Sequence, residues 1–240
     1  MGKHGKYRAL VAAACLAAGP AAADCRLALA LGVDVSRSVS DADYEVQRQG
    51  LIAALTAPEV RAEFFRPGGF VALAIYEWSG ERYQDLIQPW VAIKGAADLD
   101  RVTADLAAHQ RLSLELPTGM GEALSFGRKL FANVPFCTAD TLDISGDGQN
   151  DEGREPGWVY RDEDFGAILV NGLPIGGHED SITDYYRNRV IHGPGAFVEP
   201  APSVADYPAA IRRKLLRELT EELVGQCCTV RAGGAALPPA

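Results

Sequence analysis

The sequence predicts an α/β fold: a Rossmann-like, doubly wound, mostly parallel sheet of six strands with one antiparallel edge strand and helices on both faces. Three observations carry this expectation. Continuous apolar runs, such as 27–33 (LALALGV) and Phe70–Trp78 (FVALAIYEW), fit strands buried on both sides, as parallel sheets require. Segments with apolar residues at helical spacing lie between such runs. The two kinds alternate along the chain without an internal repeat or a second domain boundary.

The first strand, 27–33, ends in Asp34. Ser40, Asp41 and Asp43 then offer a cap and acidic residues for a helix over 44–55, with Val46, Leu51, Ile52 and Leu55 as its apolar stripe. Phe70–Trp78 is the second strand, and Ser79-Gly80-Glu81 turns it into a third over 83–93, a hairpin. Residues 98–109 carry Leu99, Val102 and Leu106 at helical spacing. A further helix follows over 120–132, after Leu116-Pro117-Thr118-Gly119. The fourth strand, 141–145, is stopped by Gly146-Asp147-Gly148. Strands over 167–170 and 196–198 complete the six, separated by a short helix over 181–190. A closing helix over 203–225 has Ile211, Leu215, Leu219 and Leu223 on one face.

Both ends are expected to lie outside this domain. Lys3, Lys6 and Arg8 precede an uncharged apolar run, and Gly19-Pro20 breaks that run before Ala21-Ala22-Ala23. This is the pattern of a secretory signal peptide cleaved after residue 23, and the run is too short to span a bilayer. Cleavage leaves a domain over 24–229 and a Gly-, Ala- and Pro-rich tail over 230–240 that is expected to be disordered. The formal net charge of −9 becomes −12 when the three leader cations depart. That balance excludes a nucleic-acid-coating role, which needs a basic face. The mature chain is expected to be periplasmic or secreted, with no membrane span; its oligomeric state is not set by the sequence.

In a parallel α/β sheet, functional groups gather beyond the carboxyl ends of the strands. Asp34-Val35-Ser36-Arg37-Ser38 follows the first strand, Asp147-Gly148 follows the fourth, and Thr118 stands just ahead of a helix. Tracing strand and helix directions brings all three segments to one end of the sheet. Two carboxylates, Asp34 and Asp147, and three hydroxyls, Ser36, Ser38 and Thr118, would converge there. Taken singly, Asp-x-Ser-x-Ser is also what caps a helix, and Asp-Gly is also a plain turn.

With these residues in this order, the chain resembles the von Willebrand factor A domain, whose metal-ion-dependent adhesion site is built from D-x-S-x-S, a later Thr and a later Asp-Gly. The stretches DVSRSVSDADYEVQRQG, LPTGMGEAL and DISGDGQND carry the resemblance. YEWSG, NGLPI, HGPGAFVEP and AIRRKLLRE bring the chain closest to an uncharacterised bacterial family of exported A domains. The resemblance implies a metal held through Ser36, Ser38 and Thr118, with Asp34 and Asp147 binding directly or through water. It also implies a protein partner presenting an acidic side chain to that metal, and a binding role rather than an enzymatic one.

The donor set leads to the same metal class independently. All five candidates are hard oxygen donors, which favours magnesium, with manganese or calcium as alternatives and zinc disfavoured. Neutral hydroxyl ligands leave the ion much of its charge, so a partner carboxylate is a natural further ligand. Two other functions compete: a metal-dependent hydrolase in which His178 serves as base at the same face, and an envelope assembly module that docks without metal. Asp143-x-Ser145-x-Asp147-Gly148 begins like a calcium loop, but its twelfth position is Arg154, where a Glu is required.

Arg37, Trp78, Trp158 and Tyr160 are candidate partner-binding residues, being of the types that dominate interface energetics and falling on segments near the same face. Packing under the hairpin is an equal alternative for Trp78. His109 is expected as a polar cap ending its helix, and His192 at the opposite end of the sheet. Cys25 lies nine residues before Asp34 and Cys137 ten before Asp147, so a bridge between them at the far end of the sheet is sterically reasonable. Cys227 and Cys228 end the last helix and could pair with each other or with the other two; four cysteines allow three connectivities, and the sequence does not choose.

Overall fold

The structure, a computed structural model, describes residues 24–112, 115–134, 137–176 and 181–225. The two apolar runs form β1 (Cys25–Asp34) and β2 (Phe70–Trp78), buried along almost their whole lengths. β3 (Gln84–Ile93) returns antiparallel to β2, whereas β4 (Cys137–Gly146) and β5 (Leu169–Pro174) run parallel to β1. The strand order is β3-β2-β1-β4-β5. From β1 the chain builds outward to one side and later lays β4 on the other, so the crevice between the carboxyl ends of β1 and β4 is a topological switch point.

Helices cover both faces. α1 (Asp41–Thr56) begins at Ser40, whose hydroxyl accepts the Asp43 N–H at 3.2 Å. After it come α2 (Pro58–Phe64), α3 (Ala96–Ala108), α4 (Met120–Leu130), α5 (Pro156–Asp162), α6 (Ser181–Tyr185) and α7 (Tyr207–Gly225). Leu51, Val60, Leu99 and Ile211 bring α1, α2, α3 and α7 into one apolar layer with Leu29 and Leu73. Leu124, Val159 and Ile182 seat α4, α5 and α6 in the other, against Ile144 and Val170. Among the described residues no helix is long and apolar enough to cross a membrane.

Several expectations are corrected. The sheet has five strands, not six: the expected strand over 196–198 pairs with β5 only through isolated bridges at Val198 and Ala201. Pro200 and Pro202 have no N–H to offer a further strand, so this segment follows β5 and closes the sheet edge. β5 begins two residues later than expected and continues through Asn171-Gly172, which reads as a turn in sequence. Tertiary contacts override that signal. The Asn171 amide donates to Glu218 at 2.9 Å and accepts the Phe197 N–H at 3.0 Å, while a Cβ at Gly172 would lie 2.5 Å from the Tyr186 ring. α2 and α5, each opened by a proline, are short helices that the periodicity does not reveal. The helix expected over 181–190 ends in a π-turn (Tyr186–Val190), and a 3-10 turn (Val204–Asp206) precedes α7.

Below the switch point a cation is fully enclosed. Lys214 of α7 places its ammonium 2.7 Å from Asp143 of β4 and 2.6 Å from Glu218. Enclosing charges costs several kcal/mol per ion, which only such close partners offset. At the amino end of the sheet Cys25 and Cys137, paired in register on β1 and β4, form a disulfide with Cα atoms 4.5 Å apart. The expected leader over 1–23, the tail over 230–240, His178, Cys227 and Cys228 lie outside the described residues.

Candidate metal centre

The loops after β1 and β4 meet at the switch point, and the turn before α4 joins them. Asp34 ends β1 with no solvent exposure. Its Oδ1 accepts the Ser36 N–H at 2.7 Å, and its buried Oδ2 has no hydrogen-bond partner among the described residues. Burial first, and then the charge of Asp147, push the Asp34 carboxyl up to about 7. Gly146 faces this carboxylate, and a Cβ there would lie 2.7 Å from Oδ2, so any side chain at this position would crowd that oxygen.

A chain of hydroxyls links the three segments. Thr118 Oγ1 donates to Ser36 Oγ at 3.3 Å, Ser36 Oγ lies 3.1 Å from Ser38 Oγ, and Ser38 Oγ donates to Asp147 Oδ1 at 2.6 Å. Partial burial raises the Asp147 carboxyl as well. Five oxygen-bearing side chains that the sequence separates by up to 113 positions are thus brought together. Two buried or half-buried carboxyls, one with an unpartnered oxygen, joined through neutral hydroxyls, fit a hard divalent cation. Among the described residues no group of three or more His, Cys, Asp or Glu side chains is placed to hold a metal, so a nitrogen- or sulfur-rich site has no counterpart there.

The supporting groups were not visible as such in the sequence. Asp151, four residues after Asp147, accepts the Thr118 N–H on Oδ1 at 2.6 Å and the Arg37 guanidinium on Oδ2 at 3.0 Å. Arg111 donates to the carbonyls of Val35 and Ser36 at 2.9 and 3.2 Å and lies over the Tyr44 ring, fixing the outer side of the first loop. Asp151 stands in a Gly-Gln-Asn-Asp run that reads only as a polar turn, and nothing local marks Arg111. Glu77, buried near the end of β2, accepts the Tyr44 hydroxyl at 2.6 Å and lies 3.1 Å from His109 Nε2. His109 is therefore more than the helix cap expected of it: its N–H closes α3 on Asp105, while its ring pairs with this carboxylate.

The partner-binding candidates separate. Trp78 is wholly buried, because the last residue of β2 turns its ring into the layer of Tyr76 and Met120; it has no surface to offer a partner. Tyr160 is likewise engaged internally, donating to the Val190 carbonyl and stacking on His192 with ring centres 4.4 Å apart. His192 lies in that stack, and its backbone pairs with Val170 of β5. Arg37 is exposed but bound to Asp151. Trp158 is 55% exposed.

A family model described as a protein of unknown function, DUF1194, matches residues 24–223. A search of curated proteins finds no match. Among solved structures, proximal thread matrix protein 1 of the mussel byssus is similar at a TM-score of 0.58 and 10% identity, over 84% of this chain and 49% of that one. The same mussel protein with a zinc-occupied MIDAS motif gives 0.55 at 13% identity, over 82% and 48%. A von Willebrand factor type A protein from Catenulispora acidiphila gives 0.53 at 15% identity, over 83% and 43%. The conserved hypothetical protein BatB from Bacteroides thetaiotaomicron gives 0.52 at 13% identity, over 81% and 99%. The chain spans about half the length of the mussel and Catenulispora proteins. These likenesses fix the architecture as that of the von Willebrand factor A domain.

Proposed function

This chain belongs to the DUF1194 family of proteins of unknown function, and we propose that it is an exported binding module that captures an acidic group of a protein partner through a divalent cation at its switch-point site. Asp34, Ser36, Ser38, Thr118 and Asp147 would hold the ion. The single observation that carries this reading is the enclosed Asp34 carboxylate with its unpartnered Oδ2, beside a hydroxyl chain that runs from Thr118 through Ser36 and Ser38 to Asp147. Without a positive charge, two neighbouring carboxyls, one enclosed and one half-buried, are costly to ionise together. When bound, the cation supplies that charge and a Lewis-acidic position for an incoming carboxylate.

The chain's own residues prepare the site. Ser36 orients Asp34 through its backbone N–H, and Asp151 and Arg111 hold the hydroxyl-bearing loops. The all-oxygen donor set favours magnesium, with manganese or calcium as alternatives. The zinc at the mussel protein's MIDAS motif makes zinc worth including in any titration. Export is supported by the leader pattern of residues 1–23 and by the Cys25–Cys137 disulfide, a bond that persists in oxidising compartments. The reading is of binding rather than catalysis.

Thermal melts of the mature chain with magnesium, manganese, calcium and zinc test it directly. Metal-dependent stabilisation is expected for the native chain and is expected to vanish in Asp34→Ala and Thr118→Ala. A pull-down from envelope extract should then recover a partner in magnesium and lose it in chelator. If both variants keep native metal stabilisation and partner recovery, the reading is wrong; recovery that ignores chelator points instead to a metal-independent assembly module.

A further inference from the structure

We propose that an open groove of about 420 Å³ beside the Asp147 loop binds a second acidic side chain of the same partner, with Arg189 as its counter-charge and Trp158 as the surface the connecting segment packs on. This rests on the metal-capture reading above. The groove is lined by Gln149, Asn150, Glu155, Trp158, Tyr185 and Arg189. Gln149 and Asn150 are the second and third residues after Asp147, so the groove begins where the candidate metal centre ends.

Its floor is fixed and its walls are free. Asn150 accepts the Gly121 N–H on its side chain and donates its own N–H to the Tyr185 hydroxyl, both at 3.2 Å. Tyr185 in turn packs edge-on against the buried Tyr186. Trp158 is the largest exposed apolar side chain among the described residues, although its neighbours Val159 and Tyr160 turn inward to the core. Arg189 is exposed and makes no hydrogen bond or ion pair among the described residues, whereas nearby Arg187 is paired with Asp184 at 3.1 Å. Trp, Tyr and Arg are the residues that most often carry interface binding energy, and this groove gathers one of each. The charge of Arg189 selects an acidic occupant, the same chemistry that the cation selects. Glu155, in the same lining, repels such an occupant and limits where its carboxylate can settle.

Capped Gly/Ser peptides bearing one Asp, or two Asp residues two to six positions apart, serve as probes, titrated against the mature chain in magnesium with tryptophan fluorescence as the readout. The best two-Asp peptide is expected to bind roughly two- to fivefold more tightly than the one-Asp peptide. Arg189→Met should abolish that gain while leaving one-Asp binding and magnesium stabilisation unchanged; Glu155→Gln should enlarge it. A gain that survives Arg189→Met, or no gain at any spacing, overturns the groove proposal. One-Asp binding that survives both chelator and Asp34→Ala overturns the metal reading alone. Arg189-dependent binding of the two-Asp peptide in chelator would then keep the groove without the metal. Binding of neither peptide overturns both.

Discussion

Asp151 and Thr118 hold each other by two hydrogen bonds: Asp151 Oδ1 accepts the Thr118 N–H at 2.6 Å, and the Thr118 carbonyl accepts the Asp151 N–H at 2.9 Å. The second carboxylate oxygen holds Arg37, which lies between Ser36 and Ser38. One side chain on the β4 loop thus fixes the other two loops of the candidate metal centre. Groups that orient metal ligands are typically worth 10- to 100-fold in affinity. Asp151→Ala is therefore expected to weaken magnesium or manganese binding by about that factor by calorimetry. Asp151→Asn, which keeps the acceptor for the Thr118 N–H, should lose less. Equal affinity in the alanine variant would remove Asp151 from the site's support.

Lys214 has no water to turn to if its partners are lost. Lys214→Met leaves Asp143 and Glu218 enclosed together without a cation, a change expected to cost about 3–5 kcal/mol of folding stability. Urea denaturation measures it. A loss below about 1 kcal/mol would mean that the two carboxyls take up a proton at little cost.

Two carboxyls make stability depend on pH. Burial, with Asp147 adding to it, raises Asp34 from an ordinary 3.8 to about 7. Burial also raises Asp143, with Glu218 adding to the rise and Lys214 opposing it. Each binds its proton more tightly in the folded than in the unfolded chain. The contribution of each is complete below the unfolded pKa and is lost as pH rises through the folded value. Magnesium should therefore raise the melting temperature more at pH 7 than at pH 5, because the ion takes the place of the Asp34 proton. Asp143→Asn, melted without metal, should gain on the native chain across the same interval. A magnesium effect that does not grow with pH would contradict the first expectation, and parallel native and variant profiles the second.

The Cys25–Cys137 bridge spans 112 positions. Cross-links that close loops of this size stabilise folded chains by several kcal/mol in the chain-entropy account. The double variant Cys25→Ser, Cys137→Ser is expected to lose about 3–5 kcal/mol in guanidinium melts while keeping its magnesium response, since the bridge lies at the sheet end opposite the candidate metal centre. Loss of metal response in a folded double variant would show that the two ends are coupled.

Where local pattern and tertiary role coincide, the sequence was legible. The run 27–33 is apolar without interruption because β1 is the central strand, buried on both faces, and it ended where Asp34 had to be. The same signal failed at Asn171-Gly172, whose turn-like dipeptide is held in β5 by Glu218, Phe197 and Tyr186. At Trp78 it left partner contact and core packing equally open: exposed and buried tryptophans look alike in a one-dimensional pattern, and only packing with Tyr76 and Met120 makes this one core.

The amino-acid sequence by itself determined the strand directions, and with them which end of the sheet receives Asp34, Ser36, Ser38, Thr118 and Asp147, because strand and helix lengths dictate where each connection emerges. Only the tertiary structure decided what surrounds those five side chains. Asp151 beneath Thr118, Arg111 on the first loop, the enclosed Lys214 and the groove between Trp158 and Arg189 all depend on contacts between residues remote in sequence or on surface left uncovered, and neither leaves a periodic trace.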